Sequence, residues 1–147
     1  MQTVIVTCSS CGKKNRIPEK KQHLQPRCGV CKKPLDLRGA ATPVQLGDDD
    51  FQSFIRAAPL PVMVDVFSPG CGPCRSLAPL IARCAGRYVG RVIVASLDTS
   101  NHPGTAVHYR IKGVPTLLFF RQEQEIDRIV GAPSEQDLLA RLDALAR

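Results

Sequence analysis

Residues 62–74 have the sequence VMVDVFSPGCGPC, which joins a strand pattern to two closely spaced cysteines. The first six residues are apolar or β-branched except for Asp65, a composition typical of a buried strand. Helical spacing begins near Arg75, so the sequence predicts a strand, a tight turn and a helix N-terminus. Cys71 and Cys74 then lie where unpaired N–H groups and a partial positive charge stabilise a thiolate.

The order of the two thiols predicts their parts in disulfide exchange. Cys71 comes first and is expected to lie nearer solvent, so we assign it the attack on a disulfide. Cys74, about one helical turn further in, is assigned the resolution of the mixed disulfide. Pro73 between them has no N–H and a fixed φ, both of which a first helical turn tolerates.

The same segment resembles the active-site segment of thioredoxins, because a complete Cys-Gly-Pro-Cys follows an apolar strand with an acid six residues before the first cysteine. The match extends from about residue 44 to 147. It implies an α/β thioredoxin fold over residues 39–147, with a central mixed sheet flanked by helices. It also implies a protein-disulfide reductase in which Gly70, Gly72 and Pro73 lie against the substrate.

Gly113-Val114-Pro115-Thr116 resembles the loop that carries a cis-proline opposite the two cysteines in thioredoxins. The resemblance implies that the Val114–Pro115 bond is cis and that Val114 offers backbone groups to an extended substrate peptide, as in strand addition. It also places Gly131 in the groove that would bind this substrate peptide. Without the resemblance, an ordinary trans proline that opens an edge strand is favoured at Pro115.

Asp65 matches the buried acid that lies behind the second cysteine in the family. That match implies a proton relay to Cys74, since a desolvated carboxylate has a raised pKa. The alternative is an acid near a strand end with its own hydrogen bonds. Ser96 stands where many thioredoxins have a lysine that pairs with the acid, so we expect Asp65 to be less stabilised as an anion. Gly70 replaces a tryptophan, which bears on substrate range and efficiency more than on the exchange chemistry.

Two more cysteine pairs, Cys8 with Cys11 and Cys28 with Cys31, have the spacing C-x2-C-x16-C-x2-C. This spacing predicts a four-cysteine zinc site, because paired thiolates can converge tetrahedrally on Zn²⁺ at about 2.3 Å. So short a segment buries little apolar surface, so one structural zinc per chain would supply its folding energy. Two disulfides, or free thiols in a disordered tail, are the alternatives.

Other residues of this segment have simpler roles in the prediction. Gly12 and Gly29 are expected to give the cysteine turns their backbone freedom. His23 is expected to be a solvated loop residue rather than a ligand.

A zinc ribbon over residues 1–38 followed by a Cys-Gly-Pro-Cys domain over 39–147 resembles the zinc-containing thioredoxin-2 branch of bacteria. That branch implies a cytoplasmic dithiol reductant, recharged by an NADPH-dependent thioredoxin reductase and holding no organic cofactor. Its implied substrates are oxidised proteins, and a monomer is the expected state. The N-terminus has no signal-peptide pattern and no run of apolar residues long enough to cross a membrane, which also predicts a reducing compartment.

The net charge of +7 lies entirely in the first 38 residues, which hold nine Lys or Arg and two acids. Four thiolates around one zinc ion would lower the charge of this segment to about +5. A basic surface is compatible with nucleic-acid binding, but residues 1–38 contain no Phe, Tyr or Trp to stack on bases. We therefore favour a solvated face or a protein-docking surface.

The remaining pattern predicts alternating strands and helices. Residues 39–45 are a linker into a first strand, and Asp48, Asp49 and Asp50 are expected to cap a helix and fill its first turn. Further predictions are a strand at 92–97, a helix at 101–109, a hairpin over 116–130 with its turn at 122–124, and a final helix capped by Ser134. Cys84 is expected to be a packing residue.

The sequence is also compatible with two other functions. In one, the ribbon is the working part, as a zinc-release redox sensor or a nucleic-acid contact. In the other, Gly70 accompanies an oxidase- or isomerase-like tuning of the same fold, which a reduction potential would distinguish from a reductant.

Overall fold

A computed structural model describes residues 2–147, in which seven strands alternate with four α-helices and one 3₁₀ helix. In chain order these are β1 (Thr3–Thr7), β2 (Lys14–Pro18), the 3₁₀ helix (Glu19–Leu24), β3 (Val44–Leu46), α1 (Phe51–Ala57), β4 (Val62–Phe67), α2 (Gly72–Arg87), β5 (Ile93–Asp98), α3 (Pro103–His108), β6 (Thr116–Arg121), β7 (Gln124–Val130) and α4 (Glu135–Leu145). Within these residues no helix is both long enough and apolar enough to cross a membrane.

Five of the strands form one mixed sheet in the order β3-β5-β4-β6-β7. β3 and β4 both pair with β5 in parallel, whereas β4–β6 and β6–β7 are antiparallel. α2 and α4 pack on one face of the sheet, and α1 with the segment after α3 packs on the other. The predicted α/β fold class is confirmed, and β4 is buried on both faces because it lies at the centre.

Residues 2–38 fold as a small unit around the hairpin of β1 and β2. Val4 and Val6 alternate inward along β1 and pack with Ile17 and with two of the cysteines. The cluster continues through Leu37, with Ala40, Ala41 and Val89 packed against it. This unit, which we call the ribbon, therefore has a small apolar core and is docked on the rest of the chain. A boundary between residues 38 and 39 stays a prediction.

Hydrogen bonds fasten the ribbon along the β3 edge of the sheet. The Gln22 amide donates to the Thr42 carbonyl at 3.0 Å and accepts from the Thr42 N–H at 2.9 Å. Lys20 forms an ion pair with Asp50, and Glu19 accepts from the backbone N–H of Gln45. These contacts join two units that the sequence predicts as separate domains.

Two local predictions were wrong because tertiary partners compete with local ones. Asp50 is the N-cap residue of α1, as predicted, although its side chain makes no capping hydrogen bond; Asp48 and Asp49 precede it, so no acid occupies the first turn. Asp48 instead accepts from the backbone N–H groups of Gly104 and Thr105 at 3.0 and 2.7 Å. His23 is not a solvated loop residue: it lies half-buried in the 3₁₀ helix, with its ring edge-on to Phe54 at 6.2 Å.

The β6–β7 hairpin and the final helix follow the sequence more closely. The hairpin turn has two residues rather than three, Gln122 and Glu123, with φ of 51° and 74°. This left-handed geometry is usual for a two-residue hairpin turn, but it is uncommon for residues other than Gly, Asn or Asp. The Ser134 cap is confirmed, since its side chain accepts from the Asp137 N–H at 3.1 Å.

Candidate functional site

Cys71 and Cys74 lie at the start of α2, directly beyond the carboxyl end of β4. The two are joined as a disulfide, with Cα atoms 5.2 Å apart. Cys71 is the N-cap residue of α2, and its sulfur accepts from the Cys74 backbone N–H at 3.1 Å. Cys71 is half-exposed whereas Cys74 is 3% exposed, as the sequence order predicted. An outer sulfur at a helix N-terminus and an inner, buried one are the arrangement that thiol–disulfide exchange needs.

The rim around Cys71 has little side-chain cover. Gly70, Gly72 and Pro73 are all exposed, and a Cβ added at Gly70 or Gly72 would meet no heavy atom within 4 Å. Packing therefore does not require glycine at position 70, and a larger side chain would have room there. The Arg75 guanidinium donates to the Pro69 carbonyl at 3.0 Å and supports the turn from outside.

The loop before β6 reaches the outer sulfur. The Val114–Pro115 peptide bond is cis, as the resemblance implies, and the Val114 carbonyl oxygen lies 3.6 Å from the Cys71 sulfur. Gly131, at φ 90°, donates its backbone N–H to the Pro115 carbonyl at 2.8 Å. The structure thus brings Val114, Pro115 and Gly131 beside the two cysteines; their functional roles stay predictions.

Asp65 lies in the middle of β4, on the face of the sheet that α2 covers. Its side chain is 5% exposed, and one carboxyl oxygen, Oδ1, has no hydrogen-bond partner within the described residues 2–147. Burial raises the pKa of this carboxyl to about 7. Ser96 is its neighbour in the register of β5, so the side chain beside Asp65 on that strand is a hydroxyl rather than a cation. The raised pKa agrees with the expectation of a poorly stabilised anion.

The four cysteines of the ribbon converge at one point. Their sulfur atoms all lie within 4.8 Å of one another, and the pairs Cys8–Cys31 and Cys11–Cys28 are 3.6 Å apart. A tetrahedron with metal–sulfur bonds of about 2.3 Å has edges of about 3.8 Å, so the donor set fits Zn²⁺. His23 is not part of this cluster, and all four sulfurs are free of disulfide bonds.

The two cysteine turns have matching backbone hydrogen bonds. Cys8 N–H donates to the Lys13 carbonyl and Cys28 N–H to the Lys33 carbonyl, at 2.8 and 2.9 Å. The left-handed position is Gly12 in the first turn, with φ of 78°, and Lys32 in the second, with φ of 65°. Gly29 has no left-handed φ, so the expected need for glycine at that position was wrong: the turn places its strained residue after the second cysteine.

The close approach of the four sulfurs moves the pKa values of the Cys11 and Cys28 thiols apart. Backbone N–H groups of Cys31 and Val30 lower the pKa of the Cys28 thiol to about 6. Around Cys11 a Lys13 N–H acts in the same direction, but burial and the neighbouring sulfurs outweigh it and raise the pKa to about 11. Four thiolates this close repel one another, and a divalent ion removes that repulsion.

Cys84 is separate from both groups of cysteines. It is 1% exposed among the apolar residues between α2 and the sheet, which confirms the prediction of a packing residue. Burial raises the pKa of its thiol to about 11, so it is poorly suited to act as a nucleophile.

Comparison with protein families assigns both parts of the chain. The thioredoxin family model matches residues 42–144, and the model described as "Thioredoxin 2, N-terminal", a zinc ribbon, matches residues 7–33. The second match covers all four clustered cysteines.

Curated relatives match the chain over most of its length. Thioredoxin C-3 of Corynebacterium nephridii is 35% identical over 143 residues, which are 95% of this chain and 94% of the relative. Thioredoxin of Synechocystis sp. is 39% identical over 104 residues, 71% of this chain and 96% of the relative. A chloroplastic thioredoxin M-type of Spinacia oleracea is 38% identical over 93 residues, 63% of this chain and 51% of the relative.

Proposed function

Because the chain belongs to the thioredoxin family, in its zinc-ribbon thioredoxin-2 branch, and is a thiol–disulfide oxidoreductase, we propose that it reduces disulfide bonds of oxidised proteins. Cys71 and Cys74 carry the reaction. The observation that supports this most directly is the outer sulfur at the start of α2, which accepts a backbone N–H at 3.1 Å and lies within bonding reach of an inner, buried sulfur.

The proposed reaction begins with the reduced pair. The Cys71 thiolate attacks one sulfur of a substrate disulfide, forms a mixed disulfide and releases the other substrate sulfur as a thiolate. Cys74 then loses its proton and attacks the Cys71 sulfur. The second substrate sulfur leaves as a thiolate. The substrate has then gained two electrons, and Cys71 and Cys74 are joined by a disulfide. Both substrate thiolates take up protons.

Asp65 is the proposed acceptor of the Cys74 proton. It lies on the face of the sheet that α2 covers, with an unpartnered oxygen, and a pKa of about 7 lets it gain or lose a proton at physiological pH. Val114 is the proposed contact for the substrate backbone, since its carbonyl faces the Cys71 sulfur at 3.6 Å. An extended peptide there, along Pro115, Gly131 and the rim at Gly70, Gly72 and Pro73, would present its disulfide to Cys71.

The remaining parts of the proposal follow from the family. An NADPH-dependent thioredoxin reductase would return the disulfide to the dithiol, and the chain would act as a cytoplasmic monomer. Cys8, Cys11, Cys28 and Cys31 would hold one Zn²⁺ whose part is to stabilise the ribbon. No organic cofactor is needed, since the two thiols themselves carry the electrons. We infer no contact with nucleic acid.

Cys74→Ser is expected to trap the substrate. Attack by Cys71 remains possible in this variant, but no second thiol can displace the substrate, so the mixed disulfide accumulates. The variant, incubated with oxidised insulin, should give a covalent adduct on a non-reducing gel that dithiothreitol releases. Its turnover with insulin and thioredoxin reductase should be lost.

Cys84→Ser is the matched control for this experiment, because it removes another buried thiol of the same helix. It should reduce insulin at the wild-type rate and trap nothing. An adduct that forms equally well when Cys71 is also serine would show that a different sulfur makes the attack, and the proposal would fail.

Asp65→Asn is expected to flatten the pH dependence of the resolving step and to increase stability. The folded-state pKa of about 7 lies above the ordinary value of 3.8, so the folded protein keeps a proton that the unfolded chain releases. The free energy of unfolding of the wild type therefore falls by up to about 4 kcal/mol between pH 4 and pH 7, and it stays at the lower value above pH 7. The variant, which cannot ionise, should be more stable by that amount at pH 8.

Stopped-flow resolution rates and urea unfolding at pH 4 and pH 8 measure both effects. The variant's resolving step should slow by roughly tenfold to a hundredfold near neutral pH. Equal stabilities of variant and wild type at pH 8, or an unchanged inflection near pH 7 in the rate, would rule out this role for Asp65.

A further inference from the structure

Three polar residues form a row across the sheet. Gln45 on β3 pairs with Ser96 on β5, and Ser96 pairs in turn with Asp65 on β4. Neighbours in register project to the same face of a sheet, so the three side chains lie side by side on the face that α2 covers. Gln45 is exposed, Ser96 is half-buried and Asp65 is buried. The row therefore runs from solvent to the buried carboxyl.

The outer two members of this row line a cleft beneath the ribbon. The cleft has a volume of about 740 Å³ and lies between the ribbon and the carboxyl ends of β3, β4 and β5. Gln45, Ser96 and Phe67 form its floor, and residues 18–21 of the ribbon form a wall. At about 30 Å³ per molecule this space holds roughly two dozen waters, and Gln45, Ser96 and the charged side chains of the wall offer them hydrogen-bond partners.

The ribbon is fixed at this wall by contacts to the same row. Glu19 accepts the Gln45 backbone N–H, and the Gln2 amide donates to the Gln45 side chain at 2.9 Å. Lys20 closes the wall further along by its ion pair with Asp50. The shape of the cleft therefore depends on a docked ribbon.

Asp65 is the buried end of this row and the residue whose proton the row would serve. Its Oδ1 is buried without a partner, although a buried carboxyl oxygen ordinarily makes a hydrogen bond. Asp65 does not itself line the cleft, and Ser96 is the residue between the two. The serine hydroxyl can donate to the carboxyl side and accept from water on the cleft side, directly or through one water.

We propose that the cleft under the ribbon is the route by which Asp65 exchanges its proton with solvent, and that Ser96 is a positioning residue for the water at its inner end. The proposal rests on the proposed function, in which Asp65 takes the Cys74 proton. After each resolving step that proton leaves Asp65 for cleft water, and it returns by the same route when the disulfide is reduced. The ribbon then contributes to the redox site without touching the thiols.

Titratable groups lie at both the inner and the outer end of this route. α2, which covers this face, carries Cys74 in its first turn, β6 places the uncharged Leu117 beside Asp65, and β5 carries Asp98 at its end. Six more groups face the cleft: Glu19, Lys20, Lys21, Asp49, Asp50 and His102. His102 is the imidazole among these six groups, and its replacement serves as the control for Asp65.

Ser96→Val and Ser96→Thr form a matched pair for the test. Both side chains are β-branched, nearly equal in shape and suited to a strand, but only threonine keeps a hydroxyl. In the full-length protein we expect Ser96→Val to slow the resolving step by roughly threefold to tenfold and to move its pH midpoint upward, while Ser96→Thr matches the wild type. His102→Gln should leave the midpoint in place.

A direct titration keeps the test informative if the valine variant is unstable. Carboxyl carbon NMR of Asp65 in the oxidised protein should show a higher pKa in Ser96→Val than in Ser96→Thr. Equal titration curves and equal rates for the two variants would overturn the proposal. Wild-type protein that fails to reduce insulin would instead overturn the proposed function, so the two failures are distinguishable.

Discussion

Replacing Cys71 by serine should abolish disulfide reduction, with a loss of at least about 10³-fold in insulin turnover. A serine hydroxyl at the N-cap of α2 still accepts the Cys74 N–H, so the fold at this position is kept. It does not ionise near neutral pH, however, and an alkoxide is not available to attack a disulfide. Reductase-coupled NADPH oxidation with insulin as substrate measures the loss.

The reactivity of a cysteine depends on its position as well as on its sulfur. Cys71 is half-exposed at a helix N-terminus, whereas Cys84 is 1% exposed and burial raises the pKa of its thiol to about 11. Cys84→Ser therefore serves as the control and should keep full activity. If Cys71→Ser retained a tenth of the wild-type rate, another group would be making the attack, and the proposed mechanism would be wrong.

The sequence was sufficient for the parts of the fold that depend on local pattern. The apolar run before Cys71 has the length and composition of a central strand, and β4 is that strand. The spacing of the ribbon cysteines predicted their convergence, because two-residue turns place pairs of sulfurs side by side. The resemblance supplied the rest of the site: the cis bond before Pro115 and the place of Gly131 beside it.

The predictions that failed concern residues whose structure depends on partners far along the chain. Asp48 has the sequence context of a helix cap, yet its carboxylate bonds to N–H groups some 56 residues away, at the start of α3. Lys32 rather than Gly29 takes the left-handed position, which local propensity would not select. The cleft that joins Ser96 to the ribbon could not be foreseen, because it requires both the strand order β3-β5-β4 and the docking of the ribbon on that edge.

Removal of the metal is expected to unfold the ribbon and leave the rest of the chain folded. The ribbon's apolar cluster consists of a few residues from Val4 to Leu37 together with Cys8 and Cys28. A core of this size does not offset the entropy of ordering the chain, whereas zinc binding to four cysteines contributes about 10–16 kcal/mol. Cys28→Ser, or treatment with a chelator, should reduce the zinc content from one per chain to none.

Limited trypsin digestion provides a sharp readout, because nine of the twenty Lys and Arg residues lie in positions 1–38. The zinc-free ribbon should be cleaved at these sites while the five-stranded sheet and its helices resist. Insulin reduction should survive within a few-fold, since Cys71, Cys74 and Asp65 belong to β4 and α2. Cys84→Ser should keep its zinc and its resistance to trypsin. A ribbon that remained protected without zinc would show that its apolar cluster and its contacts with Thr42 and Gln45 are sufficient to hold it.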